Sequence, residues 1–236
     1  MSRYDAYKRE VLDISRRLSE QGYFGSRSGT AGNVSMLVEG EDAVAVTPTR
    51  MRYDRMSPDD ICVVDFDLHP IEAPHKPSIE TPMHVAAYKV RPDINAVIHT
   101  HQTYASSVSI LNISIPPLFD EVTMAIGGVV DVVPYAMSGT RELHEQVARK
   151  LANRCHCYLL QNHGAMCVGT DLETTFTYVE LLERIAAAYT HALSTGKPIT
   201  TLPRAVVNQL VAGVIARQDR EIARKTAMMR GEARRA

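Results

Sequence analysis

No stretch of this 236-residue chain is apolar for long enough to span a bilayer, which takes about 20 such residues. The opening residues, Met-Ser-Arg-Tyr-Asp-Ala, lack the apolar stretch of a secretory signal, so a cytoplasmic protein with no membrane partner is expected. Neither sign of charge is in excess: Lys plus Arg number 26 against 27 Asp plus Glu. That balance removes any overall electrostatic pull toward nucleic acid. The basic end (Arg230, Arg234, Arg235) reads as a solvated tail. There is no repeat, no low-complexity stretch and no evident linker. Cysteine is scarce, and Cys62, Cys155, Cys157 and Cys167 each lie in an apolar, strand-like segment. Cys155-His156-Cys157 has no second ligand pair at zinc-finger spacing, so its thiols read as packing residues. A hydrophobic fraction of 45% and a charged fraction of 22% suit a globular protein with a real core.

The patterning alternates helices with strands, which predicts one sheet layered with helices in a single domain, residues 1–236. A helix is expected from about Tyr4 to Gln21, with Val11, Leu12, Ile14 and Leu18 as its buried stripe. A small-residue loop, Gly25 to Asn33, precedes strands at Val34–Val38, Ala43–Val46 and Ile61–Phe66. These strands follow one another directly, so the sheet should be mixed and largely antiparallel. Helices are expected at Ile79–Val90, Thr103–Leu111, Arg141–Asn153 and Leu172–Thr195, with a last one carrying Val207, Leu210, Val214 and Ile215. Further strands fall at Asn95–Ile98, Val129–Val133, Cys157–Leu160 and Ala165–Val168, and Pro116-Pro117 opens a connection between two elements.

His99-Thr100-His101 continues the apolar Asn95–Ile98 segment. On an extended chain residues i and i+2 face the same side, so both imidazoles can chelate one ion. His163 ends another apolar run, and Glu80 opens a helix in Ser78-Ile79-Glu80-Thr81. Three imidazoles and a carboxylate make a divalent site able to yield a position to substrate. Gly29-Thr30-Ala31-Gly32-Asn33 is a loop of backbone donors suited to an anion, with no Gly-Lys-Ser/Thr of a Walker loop after it. Thr49 and Ser78 add hydroxyls. The arrangement suggests a small anionic substrate held at one end and bound to metal at the other. Of the remaining histidines, His84 lies one turn after Glu80, within reach of the site, while His69, His75, His144 and His191 read as loop, surface or packing residues.

Six motifs in order give the chain a family resemblance: Gly-Thr-Ala-Gly-Asn-Val-Ser (29–35), Thr-Pro-Thr (47–49), Pro-Ser-Ile-Glu-Thr (77–81), His-Thr-His (99–101), Pro-Tyr-Ala-Met-Ser-Gly-Thr (134–140) and Gln-Asn-His-Gly (161–164). It resembles the class II aldolase/adducin superfamily, which includes fuculose-phosphate aldolases and ribulose-phosphate epimerases. The resemblance implies a three-layer α/β/α fold and a homotetramer with active sites between subunits. It implies His99, His101 and His163 as ligands of Zn2+, with Mn2+ as the alternative. It makes Glu80 both an acid/base and a resting ligand, and Gly32, Asn33, Thr49 and Ser78 phosphate-binding positions.

The chain departs from the family pattern in four places. Arg50 stands where a glycine is usual, and Ile79 where a second serine is usual. Glu121 occupies the place of an aldolase tyrosine, as in the dehydratase branch, with Asp120 beside it, and no tyrosine follows Tyr189. Arg50 brings a guanidinium that suits phosphate or carboxylate, and Glu121 is a second candidate for proton transfer. The expected activity is a metal-dependent carbon–carbon lyase, an aldolase acting through an enediolate. A decarboxylase on the same scaffold is the alternative, then a dehydratase or epimerase. A purely structural role, as in adducin, conflicts with the intact triad.

Overall fold

A computed structural model of the chain describes residues 2–26 and 29–233. Arg27 and Ser28 of the small-residue loop, and Arg234 and Arg235 of the basic tail, lie outside the described residues. Eight strands form one sheet: β1 (Asn33–Leu37), β2 (Ala43–Val46), β3 (Cys62–Asp65), β4 (Pro70–Glu72), β5 (Ala96–Thr100), β6 (Asp131–Val133), β7 (Cys157–Leu160) and β8 (Gly164–Gly169). Their order across the sheet is β4-β3-β2-β1-β5-β8-β7-β6. Every neighbouring pair is antiparallel except β6 with β7. The sheet is therefore mixed and largely antiparallel, as the directly successive strands predict.

Among the described residues seven α-helices complete the fold: α1 (Asp5–Glu20), α2 (Thr81–Val90), α3 (Thr103–Leu111), α4 (Asp120–Ile126), α5 (Arg141–Lys150), α6 (Leu172–Ser194) and α7 (Arg204–Ala233). α1, α3 and α6 pack together on the sheet, whereas α2 and α5 pack on each other and on β1 and β6. This makes three layers. The middle strands β5 and β8 are buried along their whole length, as strands covered on both faces must be. The apolar stripe read in the first helix, Val11, Leu12, Ile14 and Leu18, is wholly buried. Thr140 caps α5 and Asp171 caps α6 through side-chain oxygens that accept backbone N–H bonds. Among the described residues no helix is long and apolar enough to cross a membrane.

Among the strands and α-helices, two escape the sequence patterning. β4 is a three-residue edge strand, largely exposed and opened by Pro70, and such blunt edges carry little periodic signal. α4 fills what reads as a connection after Pro116-Pro117; its seven residues span about two turns, too few for a helical period to stand out. α2 starts at Thr81 with Glu80 as its N-cap residue, two positions later than the spacing predicts.

α7 packs against α4 and is bonded to the segment just before β7. Among its described residues Gln218 and Val214 are buried. Gln218 donates to His156 Nε2 (3.0 Å) and to the Arg154 carbonyl (2.9 Å), and Arg154 pairs with Asp219. His156 is held from its other side by Nδ1–H donating to the Val168 carbonyl (2.8 Å). The thiols of Cys155, Cys157 and Cys167 are buried and free. Cys157 and Cys167 stand opposite each other in the β7–β8 ladder.

Candidate active site

The site grows from one sheet register. β1 and β5 are neighbours, and Asn33 stands opposite His99. His99 is fully buried, and its Nδ1–H donates to the Ala165 carbonyl on β8 (2.8 Å). That bond fixes the ring and turns Nε2 toward the site. His101 lies just beyond the end of β5, where its backbone N–H donates to the Tyr23 carbonyl (2.7 Å). His163 comes from the turn between β7 and β8, which Asn162 closes in the left-handed conformation (φ 54°). Leu160 and Gly164 pair at the base of that turn, which brings His163 back over β5.

The three imidazoles meet at centroid separations of 4.7 to 5.0 Å. Their ligand nitrogens all lie within 4.8 Å of one another, and His101 Nε2 is 2.9 Å from His99 Nε2. Two glycines permit this closeness. A Cβ on Gly164 would collide with the Thr100 carbonyl and reach 3.0 Å from the His101 ring. Gly32 has φ +74°, and a Cβ there would strike the Phe24 ring and come 2.6 Å from the His99 carbonyl. Both positions require the absence of a side chain.

Glu80 enters from the other layer. It is 5% exposed, and its Oε2 accepts from Asn33 Nδ2 (2.9 Å) while lying 3.2 Å from His99 Nε2. Oε1 lies 3.5 Å from His163 Nε2 and, although buried, accepts no hydrogen bond from any described residue. Burial alone would raise the Glu80 carboxyl, but His99, His163 and the Asn33 amide outweigh it and hold it well below the usual carboxylate range. Burial likewise works against a charged His99, and the Glu80 carboxylate outweighs it, so its pKa is raised. His101 is pushed down to about 3, by burial and then by His99, and His163 to about 4 for the same reasons.

Those protonation preferences fit a cation. His101 and His163 keep free lone pairs at neutral pH, and a carboxylate stays ionised among them despite burial. With the Nδ1 proton of His99 committed to Ala165, acceptor atoms converge on one point. A proton on His99 Nε2 or a metal ion is needed to make that arrangement attractive. The donor set of three imidazole nitrogens and one carboxylate suits zinc or manganese.

Of the residues expected to hold an anion, Asn33 and Ser78 are bonded to Glu80. Pro48 bridges to Pro77, Thr49 N–H donates to the Lys76 carbonyl (2.9 Å), and Ser78 N–H donates to the Thr47 carbonyl (3.1 Å). These pairings bring Thr49 and Ser78 together. The Ser78 hydroxyl accepts from the Glu80 N–H (3.3 Å). Gly32 and Asn33 adjoin them, but the Asn33 side-chain N–H is committed to Glu80, and Asn33 is 3% exposed. Arg50 is exposed with φ 57°, in the conformation a glycine adopts most easily. Among the described residues it forms no hydrogen bond or ion pair.

Glu121 is not brought to the cluster. It sits in the first turn of α4, more than half exposed, paired with Arg184 of α6 at 2.6 Å. One site residue was not singled out from sequence. Ser138 Oγ lies 3.3 Å from His163 Nε2, and the signal for it was the Pro134–Thr140 motif itself. A Cβ on Gly139 of that loop would come 3.3 Å from the carbonyl of Ile79, the residue before Glu80.

Comparison with known proteins places this geometry. Residues 9–190 match the family described as Class II Aldolase and Adducin N-terminal domain. The chain belongs to this family. It is 37% identical over 194 residues to L-fuculose phosphate aldolase of Escherichia coli (strain K12), covering 82% of this chain and 87% of that one. It is 33% identical over 191 residues to 5-deoxy-D-ribulose 1-phosphate aldolase of Bacillus thuringiensis serovar kurstaki, covering 81% and 87%. A solved structure of L-fuculose 1-phosphate aldolase superposes with a TM-score of 0.82 at 29% identity, over 90% of this chain and 96% of that one. This member of the class II aldolases is an aldolase-type lyase, and its histidine cluster could hold the metal ion that such lyases use.

Proposed function

We propose that this aldolase cleaves a small ketose 1-phosphate into dihydroxyacetone phosphate and an aldehyde. The observation that carries the reading is the buried Glu80 carboxylate set among three converging imidazoles. The names of the two aldolase relatives support a phosphorylated sugar as substrate. In a 2-ketose the carbonyl activates the C3–C4 bond. The C4 hydroxyl loses its proton, the bond breaks, and its electron pair stays on C3 as an enediolate while C4 becomes the aldehyde. A proton delivered to C3 completes dihydroxyacetone phosphate, so neither water nor an oxidant is consumed.

His99, His101, His163 and Glu80 would hold a divalent ion, Zn2+ or Mn2+, whose charge stabilises the oxyanion that develops as the bond breaks. Glu80 is the group we assign to proton transfer at C3: it is buried, ionised, and bonded by Asn33 on one oxygen only. Ser78, Thr49 and Gly32 flank the cluster and supply hydroxyl and backbone donors for the phosphate, and Arg50 offers it an unpaired guanidinium. Asn33 is assigned to orienting Glu80 at least as much as to the phosphate.

We assign Glu121 to a neighbouring copy's site in a homotetramer. Its exposed carboxylate lies between exposed apolar residues Phe119 and Met124, a surface suited to burial against a second subunit. The docking of α7 through Gln218 supports reading residues 1–236 as one domain.

The test is the half-reaction that every substrate of this class shares. Protein loaded with Zn2+ or Mn2+ and given dihydroxyacetone phosphate in D2O should exchange a C3 proton for deuterium, followed by NMR. Adding short aldehydes should then yield ketose 1-phosphates. An absence of exchange with either metal would overturn the proposal.

A further inference from the structure

A row of buried polar side chains runs between β1 and α2. Asn33 and Ser35 share one face of β1, being two apart on a strand. Glu80, His84 and Tyr88 share one stripe at and along α2, being four apart. Asn33 Nδ2 donates to Glu80 Oε2 (2.9 Å). Ser35 Oγ meets His84 Nδ1 at 2.7 Å and the Tyr88 hydroxyl at 2.8 Å. Tyr88 also donates to the Ser35 carbonyl (3.0 Å). All five residues are buried, and Ser35 and His84 are wholly inaccessible.

An apolar residue at position 84 would fill this space without desolvating a polar ring. Burying an imidazole costs free energy unless its nitrogens are bonded. His84 remains neutral there, its pKa pushed down to about 3 by burial and then by the charge at His99. What the Ser35–His84 bond supplies instead is direction. Hydrogen bonds fix the rotation and axial position of a helix in a way that non-directional apolar packing does not. The rung lies one turn from Glu80, and the Asn33 end of β1 is in register with His99.

We infer that His84 is a positioning residue for Glu80, its bond to Ser35 locking α2 on β1 so that the carboxylate stays over the histidine cluster. This rests on the reading of Glu80 as the proton-transfer group. A displacement of the order of 1 Å at a reacting group costs roughly a hundredfold in rate, so a single buried bond one turn away can matter to turnover.

The experiment compares His84→Leu, His84→Asn and Ser35→Ala in the full chain. Leucine fills the volume without the bond. Asparagine carries a polar atom near the place of Nδ1 and can restore it. Ser35→Ala removes the same rung from the strand side, which covers the case of a leucine variant that does not fold. Two readouts are taken: the visible spectrum of Co2+-loaded protein, and the rate of deuterium exchange into dihydroxyacetone phosphate. His84→Leu and Ser35→Ala should shift the Co2+ spectrum and slow exchange about ten- to hundredfold, with KM within about twofold and one Co2+ per chain retained. His84→Asn should recover the wild-type spectrum and most of the rate. Wild-type behaviour in His84→Leu, or equal damage in the leucine and asparagine variants, overturns the inference. If the wild-type protein itself fails to exchange, the proposed reaction falls, and the three Co2+ spectra still decide the role of His84.

Discussion

Asn33 faces His99 across the β1–β5 ladder while its side chain reaches over to bond Glu80 at 2.9 Å. One strand register therefore fixes the distance between a carboxylate and an imidazole that are carried by different layers of the fold.

The first prediction concerns that bond. Asn33→Ala removes a hydrogen bond to an ionised carboxylate, an interaction worth about 1.5–3 kcal/mol. We expect kcat to fall at least about tenfold with KM changed less than about threefold. A rise confined to KM would show that the amide serves the substrate anion instead.

Glu80→Gln separates proton transfer from metal binding. The three imidazoles remain, so metal analysis should still find about one divalent ion per chain. Deuterium exchange into dihydroxyacetone phosphate should drop by roughly two orders of magnitude or more. Near-normal exchange in this variant would remove Glu80 from the chemistry.

His101→Ala should do the reverse. With two imidazoles left, metal affinity should fall by at least about a hundredfold, read by competition with a chromogenic chelator. Because His101 is only half-buried and lies outside β5, the melting temperature of the metal-free protein should move little.

Arg50→Gly tests a conflict between stability and binding. Arginine at φ 57° pays a conformational penalty of about 1–2 kcal/mol that glycine avoids, partly offset by the greater freedom of glycine in the unfolded chain. The variant should be as stable as the parent or more so in a denaturant titration. Its KM for a ketose 1-phosphate should rise about tenfold or more, the loss of one charge-assisted contact. Unchanged KM would make Arg50 a bystander.

Acid stability has a defined contributor in His156. Burial, then Arg91, pushes it down to about 4 from 6.5. Above pH 6.5 neither the folded nor the unfolded chain protonates it, so it adds no pH dependence. Between 6.5 and 4 the unfolded chain binds a proton that the folded one resists, so stability falls as pH falls, and the loss levels off below 4. At about 1.4 kcal/mol per unit, His156→Gln should shrink the difference in unfolding free energy between pH 7 and pH 4.5 by about 2 kcal/mol. An undiminished difference would place the acid sensitivity elsewhere.

The histidine cluster was legible because its signals are local. His99 and His101 sit two apart after an apolar run, and His163 ends another. Glu80 was legible by its place before a helix. The Asn33–Glu80 bond was not, because the partners are 47 positions apart and only the packing of α2 on β1 joins them. Asn33 therefore read as an anion donor. Glu121 was found by its motif position, but a linear pattern does not show that α4 holds it away from the cluster, paired with Arg184. Among the strands and α-helices, the two that were missed, β4 and α4, are both too short to show a period.

Gly32 and Gly164 have a consequence for any mutational scan scored by turnover. Alanine at Gly164 must displace the Thr100 carbonyl and crowd His101, and alanine at Gly32 must displace Phe24 or the His99 carbonyl. Both substitutions should score as inactive, alongside changes at the histidines themselves. Neither residue offers the reaction a donor, an acceptor or a charge through its side chain. A map of intolerant positions would thus overstate the number of reacting groups in this pocket by counting the space that lets them meet.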